Sequence, residues 1–377
     1  MIGLGLTTAE QAAFHAALAG DHAVDVRVST LTLDHDLIGT VSRSVVGGQV
    51  DIDTTQPVDR SCSVSVRDPG NALGLRSNDA WAVDLYADRL LRIEYGVNAE
   101  GLGRWVWVPI FTGRISTSEW SGDVLTITGH GKESRGLRPN SINAKWPKGT
   151  RKTDIIRGML AAMGEGHMEI PTLPDRSTVL ASVGPRDGLW DRAQGWVRSL
   201  GMRLVYDGRG VAVLRPLQLP LAWTFRDGDG GTLLSQPRRL SDTTRIRNLV
   251  VVTGGAPEGS KTPVTAVAYA PSSHPLSAVR LQSAGVPDHI REDIEDSAIT
   301  SKAVAQKVAN AKLSELLQGS LDVSFDAAVI PHLEPWDPYR VTLGGKSWDA
   351  QIQRASIPLV GARMTVGKFT LTRRITR

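Results

Sequence analysis

A lysine between glycine and a hydroxyl residue marks a phosphate-binding loop, and three stretches of this chain approach that pattern. Gly345-Lys346-Ser347 has its tail, but Arg340 stands where the leading glycine is needed. Gly254 and Gly259 are correctly spaced, but Ser260 separates Gly259 from Lys261-Thr262. Gly131-Lys132 runs into Glu133, with Thr126 in place of the first glycine. Without those glycines the backbone N–H groups cannot close on a phosphate, so nucleotide hydrolysis is not expected. Neither H-E-x-x-H nor G-x-S-x-G occurs. Asp34-His35-Asp36 could seed a metal site, and Asp227-Gly228-Asp229-Gly230-Gly231 echoes a calcium loop. The second lacks a third acid and the closing glutamate, and both read as turns. A glycosidase-like pair of carboxylates is not decided by sequence, because the separation that matters is spatial. Cys62 is the single cysteine, which excludes an intrachain disulfide and a cysteine-based zinc site. It reads as a small buried residue on a strand. The sequence therefore assigns no catalytic, cofactor-binding or metal-ligating residue, and no cofactor.

Composition sets the frame for these residues. The chain has 377 residues, 41% hydrophobic and 22% charged, which is ordinary globular composition with room for several domains. Its 38 glycines and 20 prolines favour many turns and short strands. The formal net charge of +4 permits contact with nucleic acid without arguing for it. No run of 18 apolar residues is present to span a membrane. The N-terminus lacks a basic segment and meets Glu10 early, unlike a signal peptide.

Periodicity then places the elements. Thr7 and Glu10 have capping-box spacing ahead of a short alanine-rich helix, Thr8 to Ala19, ended by Gly20. From Val24 to Thr128 the chain alternates as strands at roughly ten-residue spacing, which predicts a barrel or sandwich. Within it Trp105 and Trp107 share one strand face. They read as core or subunit interface, with an aromatic surface for a partner or sugar as the alternative. Ile155, Ile156, Met159, Leu160 and Met163 mark a helix with Thr153 before it and Gly164 after it. Leu189, Trp190, Ala193, Trp196, Val197 and Leu200 form one face of a second helix, closed by Gly201. The period then drops to two for a hairpin, Met202 to Tyr206 and Val211 to Leu214, around Asp207-Gly208-Arg209-Gly210. Beyond Leu221 strands resume, and an irregular stretch runs to about Asp296. A helix follows from Ser297 to Leu317, with Glu292, Asp293, Glu295 and Asp296 ahead of its N-terminus. The expected class is β-rich α+β, with two tube-like β-barrel domains and a small α/β insert between them. The expected boundaries are a helix at 1–21, a first barrel at 22–135, an insert at 136–217 and a second barrel at 218–377. A loop and helix at 271–318 interrupt the second barrel. From Gln351 onward Arg354, Arg363, Lys368, Arg373, Arg374 and Arg377 appear without an acid. They read as a solvated face, or more sharply as a basic edge for an acidic partner or passing DNA.

The order helix, glycine, strand, Tyr206-Asp207-Gly208-Arg209-Gly210, strand, Arg215-Pro216 resembles a unit of bacteriophage tail hub proteins. Arg245-Ile246-Arg247-Asn248-Leu249-Val250-Val251-Val252-Thr253-Gly254 is similar to a strand of that family. So is Leu333-Glu334-Pro335-Trp336-Asp337-Pro338-Tyr339-Arg340-Val341, with Trp336 where glycine is more usual. The matches lie in order over the C-terminal half. The resemblance implies a non-enzymatic virion component, a minor tail protein of the baseplate hub. It implies a homotrimer that caps or closes the tail tube and adapts it to a three-fold host-recognition tip. Implied partners are a hexameric distal tail or tail-tube ring protein, the tape measure protein and fibre or receptor-binding tip proteins, with DNA passing through the channel. The implied location is the tail tip of the virion, after synthesis in the bacterial host cytoplasm. Members often carry a C-terminal enzymatic or fibre extension, whereas this chain stops at Arg377 after its last expected strands. Two other readings stay open on sequence: a tail-associated cell-wall hydrolase and a sugar-binding tail adhesin.

Overall fold

Alternating apolar and polar residues build the first half of the chain. The computed structural model describes residues 3–40, 44–69, 89–138, 142–241, 247–257, 259–286, 288–318, 321–367 and 370–375. Helix α1 (Thr8–Ala19) starts at the expected capping box: the Glu10 N–H donates to the Thr7 hydroxyl and the Thr7 N–H to the Glu10 carboxylate. Strands β1 (Ala23–Leu31), β2 (Leu37–Thr40), β3 (Val45–Asp53), β4 (Arg60–Arg67), β5 (Leu90–Asn98), β6 (Val106–Ser121) and β7 (Val124–Gly131) follow. On β4, Cys62, Val64 and Val66 are buried while Ser61, Ser63 and Ser65 face the other way. Cys62 is thus the buried strand residue its surroundings predicted, and burial pushes its thiol up from the ordinary range.

The insert packs on its own core. It comprises α2 (Glu133–Gly136), β8 (Ala144–Trp146), α3 (Lys152–Ala162), β9 (Met168–Glu169), β10 (Ala181–Val183), α4 (Leu189–Arg198), β11 (Met202–Tyr206) and β12 (Ala212–Pro216). The expected face of α4 is buried, Trp196 included, and Gly201 takes the left-handed conformation at φ 66°. Trp190 stacks on Tyr206 with ring centroids 5.1 Å apart. Thr153 is not the cap of α3. It is buried inside the first turn, and Arg151 holds the N-cap position without a side-chain bond.

The C-terminal half contains β13 (Trp223–Arg226), β14 (Arg238–Ser241), β15 (Leu249–Gly254), β16 (Thr265–Tyr269), α5 (Ala278–Ser283), β17 (Arg291–Asp296), α6 (Lys302–Gln318), β18 (Leu321–Ala328), β19 (Pro338–Leu343), β20 (Lys346–Gln351), β21 (Arg354–Pro358), β22 (Arg363–Gly367) and β23 (Thr370–Ile375). The β-rich α+β class is as expected. The two separate barrels are not seen: among the described residues one open sheet of eleven strands runs through both β regions and no barrel closes. Its order is β14-β18-β22-β21-β3-β4-β7-β6-β5-β1-β2. The weld is the antiparallel pair β21–β3, with Ile357 opposite Val50 and Ala355 opposite Ile52. All four side chains enter one core, which α1 and the sheet β13-β19-β20-β23 also cover. Alternation orients a strand's faces but does not choose its neighbour, so this pairing is invisible to periodicity.

A second difference concerns residues 249–317. β15 and β16 do not join the second β region's sheet. They form a separate sheet with β17, parallel to β15, and α6 packs on it over a core of Val250, Val252, Ala266, Ala268 and Ile299. The acids expected in an irregular stretch before the helix lie on β17 instead. There Arg198 holds Asp296 at 3.1 Å and Arg247 holds Glu292 at 3.4 Å. The helix starts at Lys302 rather than Ser297, because Ile299 is drawn into the core and its carbonyl accepts from Gly255.

Candidate functional site

Two of the three resembling stretches converge on one buried junction. The hairpin turn Asp207–Gly210 presses onto β6, where the Thr112 hydroxyl donates to the Gly208 carbonyl at 2.9 Å. Gly210 sits at φ 74°, and a β-carbon there would lie 2.9 Å from Thr112, so the approach needs glycine. Asp207 accepts from the Arg209 and Val211 N–H groups and closes the turn. Glu334, fully buried, lies 2.6 Å from Arg60 of β4 and accepts the Gly208 N–H at 3.1 Å. Arg215 bonds Asp337 at 3.0 Å, and Asp337 accepts the Glu334 N–H at 2.9 Å. Glu334, Asp337 and Arg215 thus tie the insert's hairpin to both β regions. The close Arg60–Glu334 contact through Nη2 and Oε2 is an ion pair rather than an aligned hydrogen bond. Burial pushes the Glu334 carboxyl up, and Arg60 and Arg215 hold it down against that. In the third stretch Arg245 and Ile246 lie outside the described residues. Asn248 pins β17 by donating to the Asp288 carbonyl and accepting the Ile290 N–H.

A second buried pair lies on the far side of the hairpin. Lys132 contacts Glu165 at 2.7 Å and donates to the Gly210 carbonyl at 3.0 Å. His35, at φ 67°, stacks on His167 with centroids 3.8 Å apart, between Lys132 and Arg92. Burial first, then those cations and His167, lower the His35 imidazole to about 3, so it stays neutral. Asp34-His35-Asp36 is a turn whose two carboxylates are exposed, with only the His35 ring packed inward. No group of three or more His, Cys, Asp or Glu side chains is placed to hold a metal among the described residues.

The remaining motif fragments resolve into structural parts. Gly344 and Gly345, both at positive φ, form the two-residue turn between β19 and β20, so Gly345-Lys346-Ser347 is a hairpin. Gly254 ends β15 against the Ile299 carbonyl, and Gly259 lies in a loop with Lys261 and Thr262 exposed. Asp227 accepts the Gly344 N–H at 3.0 Å and braces that hairpin. Trp105 and Trp107 stack at 5.6 Å on the outer side of the sheet, half-buried, with Arg27 4.0 Å above Trp107. Neither enters the core. Of the late basic residues, Arg354 pairs with Asp53 at 2.9 Å and Arg363 with Asp326 at 3.8 Å. Lys368 and Arg377 lie outside the described residues, and Arg373 and Arg374 fall on β23.

Sequence reasoning missed a cavity of about 390 Å³ between the insert, α6 and the loop before β4. Asp59, Asp191, Gln194, Arg203 and Trp336 line it. The Asp59 N–H donates to Glu133 at 2.8 Å. Burial and the Glu133 carboxylate push Asp59 up to about 7. Glu133 itself does not reach the cavity, so the two acids do not face a shared substrate space. The sequence-level signal was Trp336 where glycine is more usual, and the structure holds it at φ 67°, a conformation that favours glycine.

The ion pairs weld strands, and the large sheet has one apolar and one polar face. The fold is that of phage tail proteins. The 43 kDa tail protein of prophage MuSo2 from Shewanella oneidensis superposes with a TM-score of 0.60 at 10% identity, over 92% of this chain and 98% of that one. The tail protein from Neisseria meningitidis MC58 gives 0.58 at 13% identity, over 92% and 96%. A prophage tail protein from Listeria monocytogenes EGD-e gives 0.51 at 11% identity, over 91% and 94%. No family model and no curated protein sequence matches the chain.

Proposed function

We propose that this chain is the hub of a phage tail tip, a homotrimer that caps or closes the tail tube and adapts it to a three-fold host-recognition tip. The observation that supports this best is the two-faced sheet. One face is the apolar core. The other carries small polar groups in register: Gln49 beside Ser63 and Ser63 beside Thr128, then Asp51 beside Ser356 and Ser356 beside Thr365. On that face Arg354 is matched by Asp53 and Arg27 by Glu94. Nucleic acid is held chiefly by lysine and arginine on its phosphates. A hydroxyl-lined face with paired charges is wet without gripping, which suits a channel wall that DNA passes. The proposed plan keeps a helix at 1–21, β regions at 22–135 and 218–377 that the β21–β3 pair joins into one sheet, and the insert at 136–217. A closed trimer meets a six-fold ring without mismatch when each subunit offers two similar surfaces. The partners are then the hexameric ring protein, the tape measure protein and the fibre or receptor-binding proteins, and the protein works in the virion without catalysing a reaction. Antibody labelling of intact virions tests the location. Label at the tail end away from the head is expected, and label along the tube or on the head would refute it.

A further inference from the structure

His332 is a buried polar residue that the Glu334 junction does not use. It is 0% exposed, and neither ring nitrogen has a hydrogen-bond partner among the described residues. Buried polar groups are normally paired, so an imidazole left without partners calls for a reason. Its cage is aromatic. The His15 ring stacks on it at 5.5 Å with 12° between the planes, and Phe14 meets it edge-on at 5.5 Å. Trp223 of β13 meets both histidines edge-on, His332 at 5.6 Å and His15 at 5.1 Å.

Phe14 and His15 belong to α1, which reaches across to both β regions. On the first it lies over β5 and the turn Glu100–Leu102, where Gly101 sits against Ala13 and Arg104 holds Glu10 at 2.8 Å. On the second it meets Trp223 and His332. These two attachments answer acid differently. The Thr7 N–H and then Arg104 hold the Glu10 carboxyl down at about 2, so that attachment survives mild acid. At the other, burial first, then His15 and the chain's amino terminus, lower the His332 imidazole to about 3, and burial lowers His15. The charged groups on the packed elements are engaged elsewhere: Glu334 with Arg60, Asp337 with Arg215, and Arg226 of β13 with the Gly230 carbonyl.

We propose that α1 is an acid-released strap: protonation of His332 and His15 expels the helix from the second β region while Glu10 keeps it on the first. An opened His332 takes a proton below about 6.5, whereas the closed one does so near 3. Between those limits the closed strap loses stability as pH falls. The opened fraction then rises by up to about tenfold per pH unit for each histidine that titrates. The device needs neither a trimer nor a ring partner, so it stands apart from the hub assignment.

The test uses the full chain, which carries its own control. Cys62, buried on β4, reports opening of the sheet. Ala17→Cys places a second thiol on the buried face of α1, where Ala17 is 6% exposed. Dithiodipyridine labels thiols in acid. Relative to the urea-unfolded chain, labelling at position 17 should speed up by about tenfold or more between pH 6 and pH 4, while Cys62 stays unlabelled. His332→Leu, apolar and similar in size, should remove most of that rise and melt at or above wild type at pH 7. His15→Phe should reduce the rise, which keeps the idea testable if His332→Leu folds poorly. The proposal is overturned if labelling at position 17 does not rise in acid, or if Cys62 reacts in step with it. It is equally overturned if a folded His332→Leu, or His15→Phe in its place, keeps the full rise.

Discussion

Glu334→Ala should destabilise the fold by about 3–5 kcal/mol, the usual cost of removing one partner of a buried ion pair. Glu334 is 0% exposed and Arg60 is 4% exposed, so water cannot replace the lost carboxylate. Arg60 would keep its bond to the Ile110 carbonyl but lose its counter-charge. The Gly208 N–H would also lose its acceptor, an orphaned donor that costs about 1–3 kcal/mol by itself. Arg215 would be spared, because Asp337 still holds it at 3.0 Å. Glu334→Gln keeps an acceptor for Gly208 and should cost less than the alanine change. In Arg60→Met with Glu334→Gln the two effects should fall well short of additive, since no charge is left alone. Urea unfolding followed by tryptophan fluorescence gives the four free energies. A Glu334→Ala variant within about 1 kcal/mol of wild type, or fully additive single changes, would show that the pair does not hold the junction.

Trp196→Ala should cost roughly 3–5 kcal/mol, because the indole is buried on the α4 face; a melting point within a degree or two of wild type would place it elsewhere. Asp59 should make stability fall as pH rises. Between its ordinary value of 3.8 and about 7 the folded chain keeps a proton that the unfolded chain has released. Asp59→Asn should therefore unfold at higher urea than wild type at pH 8 and match it below about pH 4; a variant weaker than wild type at pH 8 would contradict the sign. Purified protein should leave peptidoglycan intact, and turnover that disappears on changing one carboxylate or histidine would reinstate the hydrolase reading.

Local patterns were legible and long-range choices were not. The Thr7–Glu10 box, the α4 face and the Tyr206–Gly210 turn are written in spacings of three, four and two residues, and the structure has them where those spacings put them. The pairing of β21 with β3 joins residues about 300 positions apart and leaves no periodic trace. β17 was hidden because its exposed acids, Asp293 and Glu295, resemble a helix approach rather than a strand. Glu334 and Asp337 were quoted for resemblance, yet their partners Arg60 and Arg215 lie on other elements, so only the fold reveals that they are a clip. The cavity needs three elements in place before Asp59 and Trp336 face one space.

Three-fold closure is tested most directly by imaging the purified particle and weighing it in solution, alone and with its ring partner. The hub assignment predicts three copies of the 40.6 kDa chain in a ring with approximate six-fold density from two β regions per subunit. A monomer at every concentration with the partner present, or a ring of six chains, would contradict it.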